Sequence, residues 1–216
     1  MDITRFSQSC FFIRTSGMMM LINPGRDCFT ETSKNVLDYG KFLSQFPNVN
    51  ACVVTSEHDD NYDLGFLKKL YEDCRTPFFF STESVLRDTE NELLFGMSDS
   101  LKEGERIRLG ENVSLEGAGV SKESFGFLLD DGKTSIYYCG GPQLTEGTSA
   151  DVVFIPVGGS FTIGRAAAFI NTAKPKIVVL MYHDPSDSFG LGEFAREMGA
   201  SETKVAVLKP GERLKV

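Results

Sequence analysis

Twice along this chain of 216 residues, a group of short strand signals gives way to alternating helix and strand, and that order restricts the fold class more than any single motif does. In the first pass, residues 3–6, 10–14 and 18–22 read as strands, each bounded by Ser or Gly as hairpin strands require. Asn23-Pro24-Gly25 breaks the third. A helical spacing follows over 33–46 (Val36, Leu37, Phe42, Leu43, Phe46), then a buried strand over 51–54. An amphipathic helix is expected over 63–72, with Leu64, Leu67, Leu70 and Tyr71 on one face, then a strand over 77–80 and a helix over 82–94. The second pass opens with strands over 106–109, 113–117, 125–129 and 135–139, the last two joined by the turn signal Asp131-Gly132. It continues as strand 151–156, helix 162–172, strand 176–181, helix 193–198 and strand 204–207. Strands this apolar need cover, and two sheets with helices outside both supply it. With no linker or low-complexity segment, residues 1–216 read as a single domain.

Charge narrows the function classes. The net charge of -8 and pI near 4.9 argue against a nucleic-acid backbone and against an anionic membrane surface as partners. The start of the chain carries an acid at Asp2 and no long apolar run, unlike a secretory signal, and the apolar run over 18–22 is too short to span a bilayer. A cytoplasmic location is expected. The five cysteines, at 10, 28, 52, 74 and 139, are odd in number and contain no C-x-x-C pair, which speaks against a disulfide framework or a Cys-type zinc site. Cys52 and Cys139 sit in apolar strand signals and are expected to be core thiols.

The chemistry-bearing segment is Thr55-Ser56-Glu57-His58-Asp59-Asp60-Asn61, directly after the apolar run Ala51-Cys52-Val53-Val54. It resembles the metal loop T-H-x-H-x-D-H of the metallo-β-lactamase superfamily. Further segments resemble the same family, closest to its ascorbate-phosphate lactonase-like, metal-dependent hydrolase branch. Ser9-Cys10-Phe11-Phe12-Ile13 with Leu21-Ile22-Asn23-Pro24 looks like that branch's G-H-S-C-F-L-I … L-I-D-P. The stretch over 135–142, S-I-Y-Y-C-G-G-P, is similar to I-Y-Y-A-G-D-T, and 150–159 is similar to A-D-V-A-L-L-P-I-G-G. The stretch over 175–183 is similar to P-K-H-V-I-P-M-H-Y. The resemblance covers most of the chain and implies an α/β fold, a four-layer αββα sandwich with a two-metal site at the strand ends between the sheets.

Carried over position by position, the resemblance leaves few ligands. Gln8 stands for the opening histidine, Asn23 for an aspartate, Ser56 and Asn61 for two loop histidines, Gly141 for the bridging aspartate and Tyr182 for the final histidine. No histidine falls between Gly119 and Ser124. His58 and Asp60 persist, and His183 lies one residue beyond the last motif position. A catalytic zinc takes three protein ligands and an open position, and two dications need a shared anion between them. The expectation is therefore a non-hydrolytic homologue in a binding or scaffold role, with no catalytic residue, no cofactor and a small-molecule ligand. The alternative is a hydrolase holding one zinc or manganese ion through His58, Asp60 and His183, acting on a small phosphorylated or lactone-like metabolite.

Plainer readings stand beside these. His58 and His183 are as well explained by local hydrogen bonds that close the sheet-edge loops. Were Tyr182 still on a strand and pointing inward, His183 would point away, unless the strand has ended or bulges. Asp59, Asp60 and Asp63 suit a hard cation, or simply the positive end of a helix. Gly158-Gly159-Ser160 before a helix suits an anion, or a tight turn. Cys139-Gly140-Gly141-Pro142 reads as a buried strand thiol rather than a nucleophile.

Overall fold

A computed structural model describes residues 1–28, 42, 48–74, 78–89, 97–141, 144–145, 147–157, 162–182, 188–199 and 201–216. Its strands form two seven-stranded sheets. The first contains β1 (Asp2–Arg5), β2 (Phe11–Arg14), β3 (Met19–Ile22), β4 (Ala51–Val54), β5 (Phe78–Ser81) and β6 (Met97–Asp99), with β14 (Arg213–Lys215) added beside β1. The second runs from β7 (Arg106–Arg108) through β8 (Ser114–Ala118), β9 (Gly126–Asp130), β10 (Ser135–Tyr138), β11 (Val152–Pro156) and β12 (Ile177–Met181) to β13 (Lys204–Ala206).

Both sheets follow one plan, which is why the sequence makes two passes. Hairpin signals give antiparallel pairs, β1–β2–β3 in one sheet and β7–β8–β9–β10 in the other. Where helices alternate with strands, pairing becomes parallel, β3 to β6 and β10 to β13. A parallel neighbour needs a crossover, and among the described residues helices lie in the β4–β5, β5–β6, β11–β12 and β12–β13 crossovers. These helices are α1 (Leu64–Cys74), α2 (Glu83–Thr89), α3 (Ile163–Ala173) and α4 (Ser188–Met198).

The layers follow from side-chain alternation on strands. On β2, Phe11 and Ile13 enter the core between the sheets, while Phe12 enters a second core with Phe66, Leu67 and Leu70 of α1. On β11, Phe154 faces the inter-sheet core, while Val153 and Ile155 join a third core with Ala166, Ala167 and Ile170 of α3 and Phe194 of α4. These are the four layers of an αββα sandwich, as expected. Asp63 caps α1, its Oδ1 accepting from Phe66 N at 2.8 Å. Asp131 makes the hairpin turn, accepting from Lys133 N and Thr134 N, with Gly132 at φ 79°.

Several elements differ from the sequence reading. Helix α4 starts at Ser188 rather than 193, because Gly190 and Gly192 weaken the helical signal without breaking the helix. Strands β6 and β14 were not expected; both are three-residue edge strands, and β14 (Arg-Leu-Lys) is charged on either side of one apolar residue. The helix expected over 33–46 falls outside the described residues except Phe42, which is helical and buried. The end of the helix expected over 82–94 also falls outside them. Among the described residues no helix is long and apolar enough to cross a membrane.

Candidate functional site

The strand ends that the resemblance marks do converge. Asn23 follows β3, Thr55 and Ser56 follow β4, Tyr138 ends β10 and Tyr182 follows β12. All are C-terminal ends of strands taking part in parallel pairing, where α/β folds place their sites. Asn23 and Tyr182 leave their strands in the left-handed region, at φ 48° and 54°. Asparagine tolerates this; for tyrosine it is strain of roughly 1–2 kcal/mol, held by its surroundings. The strand has thus ended before Tyr182, whose N–H donates to Gln8 O at 3.1 Å.

One uncharged network fills the centre. Asn61, buried, is its hub: Oδ1 accepts from Ser9 Oγ at 2.6 Å and from Tyr182 OH at 3.0 Å, and Nδ2 donates to Ser56 Oγ at 2.7 Å. Asn23 is the second hub. Its Oδ1 accepts from Thr55 N at 2.8 Å, and Nδ2 lies 2.9 Å from both Thr55 Oγ1 and Tyr138 OH. Tyr138 OH donates to Ser9 O at 2.8 Å, which joins the two hubs across the sheets. Ser56 forms a bridge with Ser124, whose Oγ occupies the space beside Gly141: a Cβ there would lie 2.4 Å from it.

Burial raises the Tyr138 phenol well above its ordinary pKa, with Tyr182 and Cys10 adding to the effect. Burial also raises Tyr182, opposed by its bonds to Ser9 and Asn61 and reinforced by the negative charge of Asp60. Both phenols are therefore donors at neutral pH. Cys139 is pushed up to about 12 by burial, and its Sγ lies 3.1 Å from Gly141 O, so it is a core thiol as expected. Cys52 is buried and its pKa is likewise raised by desolvation.

The retained loop residues turn the other way. His58 and Asp60 are exposed, and with Glu57, Asp59, Tyr62 and Asp88 they line an open cleft of about 660 Å³. Asp59 pairs with Arg26 at 3.2 Å, and its carbonyl accepts from Arg26 N at 2.9 Å. Gly25 lets this turn pass beneath the loop, since a Cβ there would meet Asp60 C at 2.1 Å. His183, Pro142 and Gly158-Gly159-Ser160 lie outside the described residues.

Of the nominated residues, Asn23, Ser56, Asn61, Gly141 and Tyr182 thus meet at one centre, while the side chains of His58 and Asp60 lie on its outer rim. Ser9, Thr55, Ser124 and Tyr138 belong to the centre and were not nominated. Ser9 and Tyr138 lie inside quoted motifs, but as hydroxyls they carry no ligand signal. Among the described residues no three of His, Cys, Asp or Glu gather as a metal site. Among the described residues, the buried amides and hydroxyls of this centre hydrogen-bond one another.

Residues 2–182 match the family described as a β-lactamase superfamily domain. A UPF0173 metal-dependent hydrolase of Pyrobaculum neutrophilum is 25% identical over 240 residues, covering 100% of both chains. Another, from Pyrococcus abyssi, is 28% identical over 189 residues, covering 79% of this chain and 83% of that protein. Among solved structures, Igni18, a metallo hydrolase from the archaeon Ignicoccus hospitalis, superposes with a TM-score of 0.77 at 21% identity, covering 99% of this chain and 97% of that one. At that identity the likeness establishes the fold.

These relatives correct the expectation of a non-hydrolytic binding or scaffold protein, because the proteins matched over most or all of their length carry the name of metal-dependent hydrolases.

Proposed function

Because the chain belongs to the metallo-β-lactamase superfamily, we propose that it is a metal-dependent hydrolase of a small metabolite carrying a phosphoryl or lactone group, using one divalent ion, zinc or manganese. The observation that carries this reading is the end-to-end match to a relative of that name. The same reading takes residues 1–216 as one domain in a reducing, cytoplasmic setting, where its five free cysteines are at home.

The ion is the least developed part of the centre. His58 and Asp60 are the retained donors, and two donors on an exposed loop do not complete a zinc site. When bound, an ion supplies acidity to a water molecule. The chain's own groups shape the rest. The network around Asn61 holds the strand ends together, and the Tyr182 phenol sits where that network reaches its half-buried edge.

The test is hydrolysis by the purified protein, with metal content measured by elemental mass spectrometry after dialysis against zinc and manganese. We expect about one ion per chain, turnover abolished by chelator, and both ion and turnover lost in His58→Ala. Turnover that ignores chelator, or no turnover of any ester, lactone or phosphate ester, would overturn the reading.

A further inference from the structure

We propose that Cys10 and Cys28 are a thiol pair that a peroxide closes to a disulfide, and that closing it withdraws the Cys28 thiol from Asn23 O at the second hub of the centre.

Proximity selects the pair. Cys10, Cys28 and Cys52 share the core between the first sheet and α1. One atom joins the first two: Ser7 Oγ accepts from Cys10 N at 3.3 Å and lies 3.2 Å from Cys28 Sγ. The two thiols are themselves within hydrogen-bonding reach of each other. Cys52 lies opposite Leu21 of β3, which lies opposite Phe12 of β2. Two strand spacings, about 9–10 Å, therefore separate Cys52 from the line of β2, which Cys10 precedes by one residue. A disulfide needs its Cα atoms within about 7 Å, so Cys28 is the partner and Cys52 is not. Cys139 belongs to the third core, and Cys74 ends α1 half-buried.

What Cys28 holds gives the pair its reach. Its Sγ donates to Asn23 O at 3.6 Å. It ends a three-residue 3-10 helix, Arg26–Cys28, in which Cys28 N bonds Gly25 O and Arg26 meets Asp59 through exposed side chains. So short an element opens locally at small cost, and opening carries Cys28 out of its burial. Burial, with the Cys28 bond adding to it, raises the Cys10 pKa and keeps that residue a thiol. Cys28 therefore meets the oxidant first. Its sulfur takes one oxygen from the peroxide, the O–O bond breaks, and one water leaves with the Cys28 proton. The Cys10 sulfur then attacks the Cys28 sulfur, the S–O bond breaks, and a second water leaves with the Cys10 proton. Two thiols are oxidised and one peroxide is reduced. The product has no S–H for Asn23 O, and Cys10 is the chain neighbour of Ser9, the donor to Asn61.

The experiment treats the purified protein with hydrogen peroxide, maps disulfides by peptide mass under non-reducing conditions, and follows amide exchange over residues 53–61. The expected result is a chain lighter by about 2 Da, the mass of two hydrogens, with a linked Cys10–Cys28 peptide and two of the five thiols lost. Dithiothreitol should restore both thiols. Cys10→Ser and Cys28→Ser should each lose the linked peptide, while Cys52→Ser keeps it. Exchange over 53–61 should quicken about fivefold in the disulfide form, the factor for one hydrogen bond of ordinary net worth. Retention of all five thiols, a disulfide between copies through Cys74 alone, or a linked pair other than Cys10–Cys28 overturns the proposal. Unchanged exchange in the disulfide form overturns it too. The wild-type map decides the pairing even where a variant fails to fold, and no readout is turnover, so the outcome stands apart from the hydrolase reading.

Discussion

Asn61 is where one atom group most affects its surroundings. Replacing it with Ala removes the donor to Ser56 Oγ and the acceptor of Tyr182 OH, and leaves Ser9 Oγ only its longer bond to Asp60 O at 3.3 Å, with Ser9 and Ser56 both buried. We expect Asn61→Ala to cost about 2–4 kcal/mol, read by urea denaturation, because each buried polar atom left without a partner carries its own penalty. The motif positions of this centre were legible in the sequence, since Asn23, Ser56, Asn61, Gly141 and Tyr182 could be placed by resemblance. Their geometry was not. Nothing in the one-dimensional pattern says that Asn61 turns inward while its neighbour Asp60 turns out, or that Ser124 fills the space beside Gly141. Such choices depend on which strand ends lie opposite, a property of the assembled sheets.

At the level of elements, Asp151 binds three strand starts together. Its Oδ2 accepts from Ser135 N at 2.9 Å and Oγ at 3.2 Å at the head of β10, and its Oδ1 meets Lys176 Nζ at 2.8 Å just before β12. The lysine first, then the Ser135 N–H, lowers the carboxyl pKa below its usual value. A carboxylate depressed in the folded state adds stability that is complete above its unfolded pKa of about 3.9 and is lost as pH falls through the folded value. Lys176 is 78% exposed, so the ion pair contributes little and the Ser135 bonds most of the effect. Asp151→Asn should therefore destabilise by about 1 kcal/mol at pH 7, with the difference fading below about pH 4 in parallel denaturant titrations. The strands joined here were all legible from apolar runs and turn signals. The edge strands β6 and β14 were not, because a short strand with one neighbour needs no apolar run to mark it.

For the whole molecule, stability rests on three cores rather than one, and the middle core decides whether the sheets stay face to face. Phe154 is central to it, 4.9 Å from the ring of Phe11 in the opposite sheet and 5.6 Å from that of Tyr138. Phe154→Ala should cost about 3–5 kcal/mol, measured as a lower denaturation midpoint. The chain closes by changing sheets: β13 ends the second sheet, and β14 returns to pair with β1 of the first, Ile3 opposite Leu214. Buried Arg5 fastens that return, donating to Leu208 O and Ser7 O while its N–H donates to Glu212 O. The order of events during synthesis is thereby constrained. Strand β1 keeps one edge open until β14 is made, so this pairing forms late, and a nascent chain halted before residue 213 leaves the β1 edge that β14 takes without its partner.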